Sequence, residues 1–126
     1  MVRLILIFAA GGLGSLLRFA VAGWMQRYGG TFPLGTLTVN VVGSIVIGLA
    51  ATLLSGPVLV RPELRLALLV GLLGGFTTFS SYSWETVSLL QEGQWRYALA
   101  NVGLSNTLGL AAAWLGMRIS MHWHGG

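Results

Sequence analysis

The stretch Gly74-Gly75-Phe76-Thr77-Thr78-Phe79-Ser80-Ser81-Tyr82-Ser83 lies at the centre of an apolar run reaching from near Leu64 to near Leu90. A run of that length exceeds the roughly 20 residues a helix needs to cross a bilayer. Its centre, however, is poor helix-forming material: adjacent glycines, then five threonines and serines among three aromatics, one of them Tyr82 with a sixth hydroxyl. In hydrocarbon an interrupted backbone is tolerated only where it is buried in protein or lines a cavity. Two readings follow. The run is either two half-helices meeting mid-membrane, as in transporters built on discontinuous helices, or a continuous helix whose small residues pack against neighbours. The first is the expectation, with the break near 74–79.

Three more apolar runs flank this one. The first extends from about Leu4 to Met25 and ends at the turn-forming Gln26-Arg27-Tyr28-Gly29-Gly30. The second starts at Pro33, a residue tolerated in the first turn of a helix, and reaches Leu54 before Ser55-Gly56-Pro57 stops it. Gln91-Glu92-Gly93-Gln94 separates the third run from the fourth, about Trp95 to Ile119. The fold class expected is an all-α membrane protein of four transmembrane helices in one domain, 1–126. Composition agrees: 55% of the 126 residues are hydrophobic and 8% charged, against about a quarter charged in soluble domains. Met1-Val2-Arg3 before an apolar run resembles a signal peptide, but the run outlasts a signal's apolar core, so cleavage is not expected.

With no cysteine, disulfides, thiolate metal sites and cysteine nucleophiles are excluded. The net charge of +4 comes from scattered arginines rather than a basic cluster, which argues against nucleic-acid binding. Four spans put both termini on one side. Arg3, Arg61, Arg65 and Arg118 belong there; Arg27, Arg96 and, within the first span, Arg18 belong to the other. So weak a bias does not impose one orientation, and it permits two copies to pair antiparallel.

Nineteen glycines, roughly double the usual share, suggest close helix packing, since small residues let backbones approach in lipid. Polar residues form two stripes at helical spacing: Thr36, Asn40 and Ser44 on the second span, and Asn101, Ser105 and Gly109 on the fourth. Each stripe is either hydrogen-bond glue between helices or the lining of a hydrated path. Arg18 and Glu85 are the charges inside the spans, and intramembrane charges are functional candidates by default. A structural salt bridge between them is the alternative.

Hydroxyls and amides donate hydrogen bonds, and aromatic edges carry the positive part of the ring quadrupole. A half-helix starting near Phe79 would aim its positive end at the break. These features suit a small anion. The carboxylate set of a divalent-metal route is missing, as is any nucleophile–base–acid group, so an enzyme is not expected.

Three segments resemble the Fluc (CrcB) fluoride channels: Gly11-Gly12-Leu13-Gly14-Ser15-Leu16-Leu17-Arg18-Phe19, then Gly35-Thr36-Leu37-Thr38-Val39-Asn40-Val41-Val42-Gly43-Ser44, and most specifically Gly71-Leu72-Leu73-Gly74-Gly75-Phe76-Thr77-Thr78-Phe79-Ser80-Ser81-Tyr82-Ser83-Trp84-Glu85. The resemblance implies an antiparallel, dual-topology homodimer with two pores in the cell (inner) membrane, exporting fluoride passively and so giving fluoride resistance. By position it implies that Asn40 bonds fluoride, that Phe79 and Tyr82 offer ring edges, and that Thr36 and Ser105 belong to a polar track, with Thr78, Ser80 and Ser81 from the hydroxyl-rich segment. Arg18 and Glu85 would stand at a vestibule. The carbonyls of Gly74 and Thr77 from both copies would hold a structural Na+ at the dimer centre. Fluoride, membrane lipid and a second copy are the implied partners. Physically, fluoride holds its water tightly and an unpaired buried charge costs on the order of tens of kcal/mol, so only a dense series of donors can replace its shell.

Three positions depart from the family pattern: Tyr82 where phenylalanine is usual, Asn101 where a tyrosine is often found, and Gly109 where a serine is. A rival reading is a small multidrug-type proton antiporter, for which Glu85 would be the membrane carboxylate. A non-transporting assembly protein is a third, for which no residue speaks. The tail His122-Trp123-His124 could bind metal, but an interfacial helix end is the simpler expectation.

Overall fold

The computed structural model describes residues 1–56 and 58–123. All regular structure among them is helical, and four segments are long and apolar enough to cross a membrane. These are α1 (Val2–Gln26), α2 (Leu34–Ser55), a compound third span over Pro62–Gln91, and α6 (Trp95–Trp123). The third comprises α3 (Pro62–Leu66), a π-helical stretch Ala67–Leu72, α4 (Leu73–Phe76) and α5 (Phe79–Gln91). At about 1.5 Å per residue, even the 22 residues of α2 cover the roughly 30 Å hydrocarbon core.

Thr77 and Thr78 are extended, at φ/ψ of −88/158° and −151/113°. The last α4 bond runs from the Thr77 amide to the Leu73 carbonyl, 3.0 Å. Thr78 then caps α5, its hydroxyl accepting from the Ser81 amide at 3.1 Å, as threonine does at a helix start. The π-helical stretch just before was not foreseen. Such turns insert an extra residue and leave a carbonyl off the regular ladder.

Glycines set how the helices meet. A β-carbon on Gly14 would strike the Leu72 carbonyl, and one on Gly75 the Gly11 carbonyl, so α1 lies directly on the third span. Gly48 faces the Ala113 carbonyl and Gly116 the Ile45 carbonyl, which seats α2 on α6. Gly43 touches the Thr77 methyl, bringing α2 against the two extended residues. This is packing by backbone approach, as expected where lipid supplies no hydrophobic drive. Most large apolar side chains point outward; Phe8 is 84% exposed and Phe19 82%. In water such a surface would aggregate; in lipid it is the solvated face.

The connections are tight. The Gln26 side chain donates to the Phe32 carbonyl (2.9 Å) and accepts from the Gly35 amide (2.9 Å), so one residue ties the end of α1 to the start of α2. Pro33 precedes α2 as its cap rather than opening its first turn. Helix α2 ends at Ser55; Pro57, part of the anticipated stop, lies outside the described residues. Helix α5 ends with the Gln94 amide on the Leu89 carbonyl and the Gly93 amide on that of Leu90, with Gly93 at φ +76°. That left-handed turn favours glycine. Helix α6 continues to Trp123, beyond the Ile119 expected, because Ser120, Met121 and His122 continue the helix without a breaker. His124 lies outside the described residues.

Candidate functional site: two cavities joined at Thr78

Asn40, on α2, reaches the two extended residues of the third span. Its amide nitrogen donates to the Thr78 carbonyl at 3.0 Å, and its oxygen accepts from the Thr78 amide at 2.8 Å. Both backbone polar groups of Thr78 leave the helical ladder and are satisfied by one side chain. Buried backbone groups require partners, and an asparagine, with a donor and an acceptor on one rigid plane, matches the pair. Thr78 is buried and Asn40 half-buried.

On one side of this contact lies a cavity of about 320 Å3. It is lined by Asn40, Ser44, Gly74, Thr77, Thr78, Phe79, Tyr82, Ser105, Asn106 and Gly109, with apolar walls from Ile47, Leu69 and Leu73. The rings of Phe79 and Tyr82 stand 5.5 Å apart at 47°. On the other side is a cavity of about 510 Å3, where Ser15, Arg18, Gln26, Thr36, Thr78, Ser81 and Glu85 supply the polar surface. Thr78 lines both. The Asn40–Thr78 contact is therefore the wall between them.

The residues singled out from sequence divide between these spaces. Asn40, Phe79, Tyr82 and Ser105 line the smaller cavity, together with Gly74 and Thr77. Thr36, Ser81, Arg18 and Glu85 line the larger. Thr36 thus parts from Asn40 and Ser44, with which it shares a helical stripe. Ser80 is exposed and lines neither cavity; its hydroxyl stands 3.4 Å from that of Thr78.

The α6 stripe divides as well. Asn101 is fully buried and donates to the Thr86 hydroxyl at 2.9 Å, while Ser105 donates to the Asn101 oxygen at 3.2 Å. Thr86 in turn donates to the Tyr82 carbonyl at 2.7 Å. Asn101 is therefore glue between α5 and α6, and Ser105 connects that glue to the smaller cavity. Asn106 and Thr86 escaped the sequence reading. Five residues beyond Asn101, Asn106 falls off the i, i+4 stripe, and Thr86 sits past the hydroxyl-rich segment.

Arg18 and Glu85 share the larger cavity without forming an ion pair; the ion pair among the described residues joins Arg3 to Glu63 at 3.9 Å. One Glu85 carboxylate oxygen is buried and has no hydrogen-bond partner. The described residues contain no cluster of three or more His, Cys, Asp or Glu able to hold a metal ion. The carbonyls of Gly74 and Thr77 follow the last α4 bond, so neither accepts from a helical amide.

Known proteins match this chain over nearly its whole length. The chain is 50% identical over 115 residues to the fluoride-specific ion channel FluC of Solibacter usitatus, covering 90% of this chain and 94% of the relative. It is 44% identical over 123 residues to the protein of the same name from Geobacter metallireducens, covering 97% and 99%. A third relative of that name, from Opitutus terrae, is 53% identical over 113 residues, covering 87% and 86%. Residues 5–117, which hold both cavities and the contact between them, match the family described as CrcB-like protein, Camphor Resistance (CrcB), and to that family the chain belongs.

Proposed function

We propose that the chain is a fluoride-selective channel that lets fluoride leave the cell passively across the cytoplasmic membrane, and that it is not an enzyme. The observation that carries this is the pair of donor-lined cavities meeting at Thr78. An anion entering past Arg18 meets the hydroxyls of Thr36 and Ser81, then Thr78, then the Asn40 amide, the ring edges of Phe79 and Tyr82, and Ser105. Each replaces part of a hydration shell that fluoride gives up only to strong donors. One proton of the Asn40 amide nitrogen is taken by Thr78; the second is left for the ion.

The extended pair Thr77-Thr78 is read as a break of the third span at mid-membrane. There it does two things. It starts α5 inside the membrane, with its positive end beside the path, and it frees the carbonyls of Gly74 and Thr77. Those oxygens are a hard donor set suited to Na+, and two copies meeting about Gly74 and Thr77 would supply four. Such an ion would neutralise converging carbonyl dipoles and hold the copies together.

A second copy is called for by the outward polar groups. Ser80, Asn106 and Thr107 are exposed in the middle of spans, beside Phe79 at 78% exposure. Polar groups facing lipid are costly, and an antiparallel partner would cover them and close the smaller cavity into a pore. The weak arginine bias permits both insertions.

Purified protein in liposomes, assayed with a fluoride electrode and chloride-loaded controls, tests this reading. Rapid fluoride release with negligible chloride release is expected; no fluoride release from folded protein refutes it. Glu85→Gln separates the channel from a proton antiporter. Glu85 lines the larger cavity but, as a carboxylate, offers fluoride no donor, so the channel retains transport, whereas an antiporter dependent on that carboxylate loses all of it.

A further inference from the structure

The channel reading gives Asn106 no part in the ion path, although it lines the smaller cavity with Asn40, Phe79, Tyr82 and Ser105. Its amide nitrogen bonds twice: to the Val102 carbonyl at 2.8 Å and to the Tyr82 phenol oxygen at 3.3 Å. A backbone carbonyl can only accept, so the Val102 contact decides which end of the Asn106 amide is nitrogen. That nitrogen has two protons, one for each contact. The Tyr82 oxygen therefore accepts from Asn106, and its own single proton must point elsewhere. Among the described residues no acceptor takes it: Thr86 bonds the main-chain carbonyl of Tyr82, not the phenol. The phenol belongs to a residue that lines the cavity, and the cavity is open to its O–H.

From this hydrogen-bond polarity we infer that Asn106 is a positioning residue, holding the Tyr82 phenol so that its O–H is turned into the cavity and donates to the passing anion. The inference rests on the channel reading. It adds to the path a directional hydroxyl donor whose direction is imposed from α6, across the α5–α6 packing. An asparagine rather than a carboxylate is needed at 106. A carboxylate would accept the phenol proton and withdraw it from the ion.

The test is initial fluoride efflux from liposomes over a range of internal fluoride, for wild type, Tyr82→Phe, Asn106→Ala and the double variant. Loss of a donor to a charged ligand in Tyr82→Phe is expected to raise the half-saturating fluoride concentration by about ten- to hundredfold. Asn106→Ala, which leaves the hydroxyl but frees its direction, raises it by about two- to fivefold. The double variant matches Tyr82→Phe alone. An unchanged half-saturation in Tyr82→Phe overturns the donor role. An Asn106→Ala effect that persists at full size in the Tyr82→Phe background makes Asn106 a packing residue and overturns the positioning role. Should Asn106→Ala yield no folded protein, Asn106→Leu, similar in size and lacking a donor, replaces it. A wild-type chain that releases no fluoride fails the channel reading itself, which its own trace reveals before any variant is compared.

Discussion

Replacing Asn40 by alanine removes the partner of both the Thr78 amide and the Thr78 carbonyl at once. The structure shows two bonds, at 3.0 and 2.8 Å, to a residue that is only 7% exposed. A buried donor or acceptor left unsatisfied costs about 1–3 kcal/mol, so the pair should cost about 2–6 kcal/mol. Water entering from the flanking cavities moves the figure towards the lower end. Asn40→Asp separates stability from transport. Its carboxylate still accepts from the Thr78 amide but cannot donate to the carbonyl, and it sets a negative charge on the anion route. Asn40→Ala should therefore lose both thermal stability in detergent and fluoride efflux. Asn40→Asp should keep about half of the stability and lose efflux by at least about tenfold, through charge repulsion in a low-dielectric path. Thermal denaturation followed by size-exclusion chromatography, beside liposome efflux, reads the two effects separately. An Asn40→Ala protein as stable as wild type would refute the reasoning, because Thr78 would then need no partner from α2.

Three further outcomes are expected. Gly48→Ala drives a β-carbon into the Ala113 carbonyl and should cost about 1–3 kcal/mol by thermal denaturation, whereas Gly103→Ala, facing open space, should be neutral or stabilising by up to about 1 kcal/mol. Gly93→Ala forces a side chain to φ +76° in the turn closing α5 and should destabilise by about 1–2 kcal/mol, with efflux per folded protein unchanged. Ser120 is fully buried with an unpartnered hydroxyl, so Ser120→Ala should leave stability equal or raise it by up to about 1 kcal/mol; a clear loss would mean that the hydroxyl has a partner in the assembled protein.

The sequence by itself determined that this is a membrane protein of four helical spans, because hydropathy and length are local. About 20 apolar residues in a row can satisfy their backbone in lipid only as a helix. Its motifs, from Gly11-Gly12 through Asn40 to the hydroxyl-rich segment, also placed it with the fluoride channels, and the relatives agree. Only the tertiary structure decided what each polar atom does. The stripe of Thr36, Asn40 and Ser44 is one line on a helical wheel, yet Thr36 opens on one cavity and Asn40 and Ser44 on the other. The stripe through Asn101 reads as path or glue with equal ease, and full burial against Thr86 makes Asn101 glue. Asn106, off that stripe, proves to face the cavity and Tyr82. The reason is geometric. Spacing along a chain tells which residues share a face of one helix. Which atoms come within about 3 Å across two helices depends on rotation and crossing, and here those are set by backbone-to-backbone contacts at Gly14, Gly48, Gly75 and Gly116, and by Gly43 against the Thr77 side chain, that no single helix encodes.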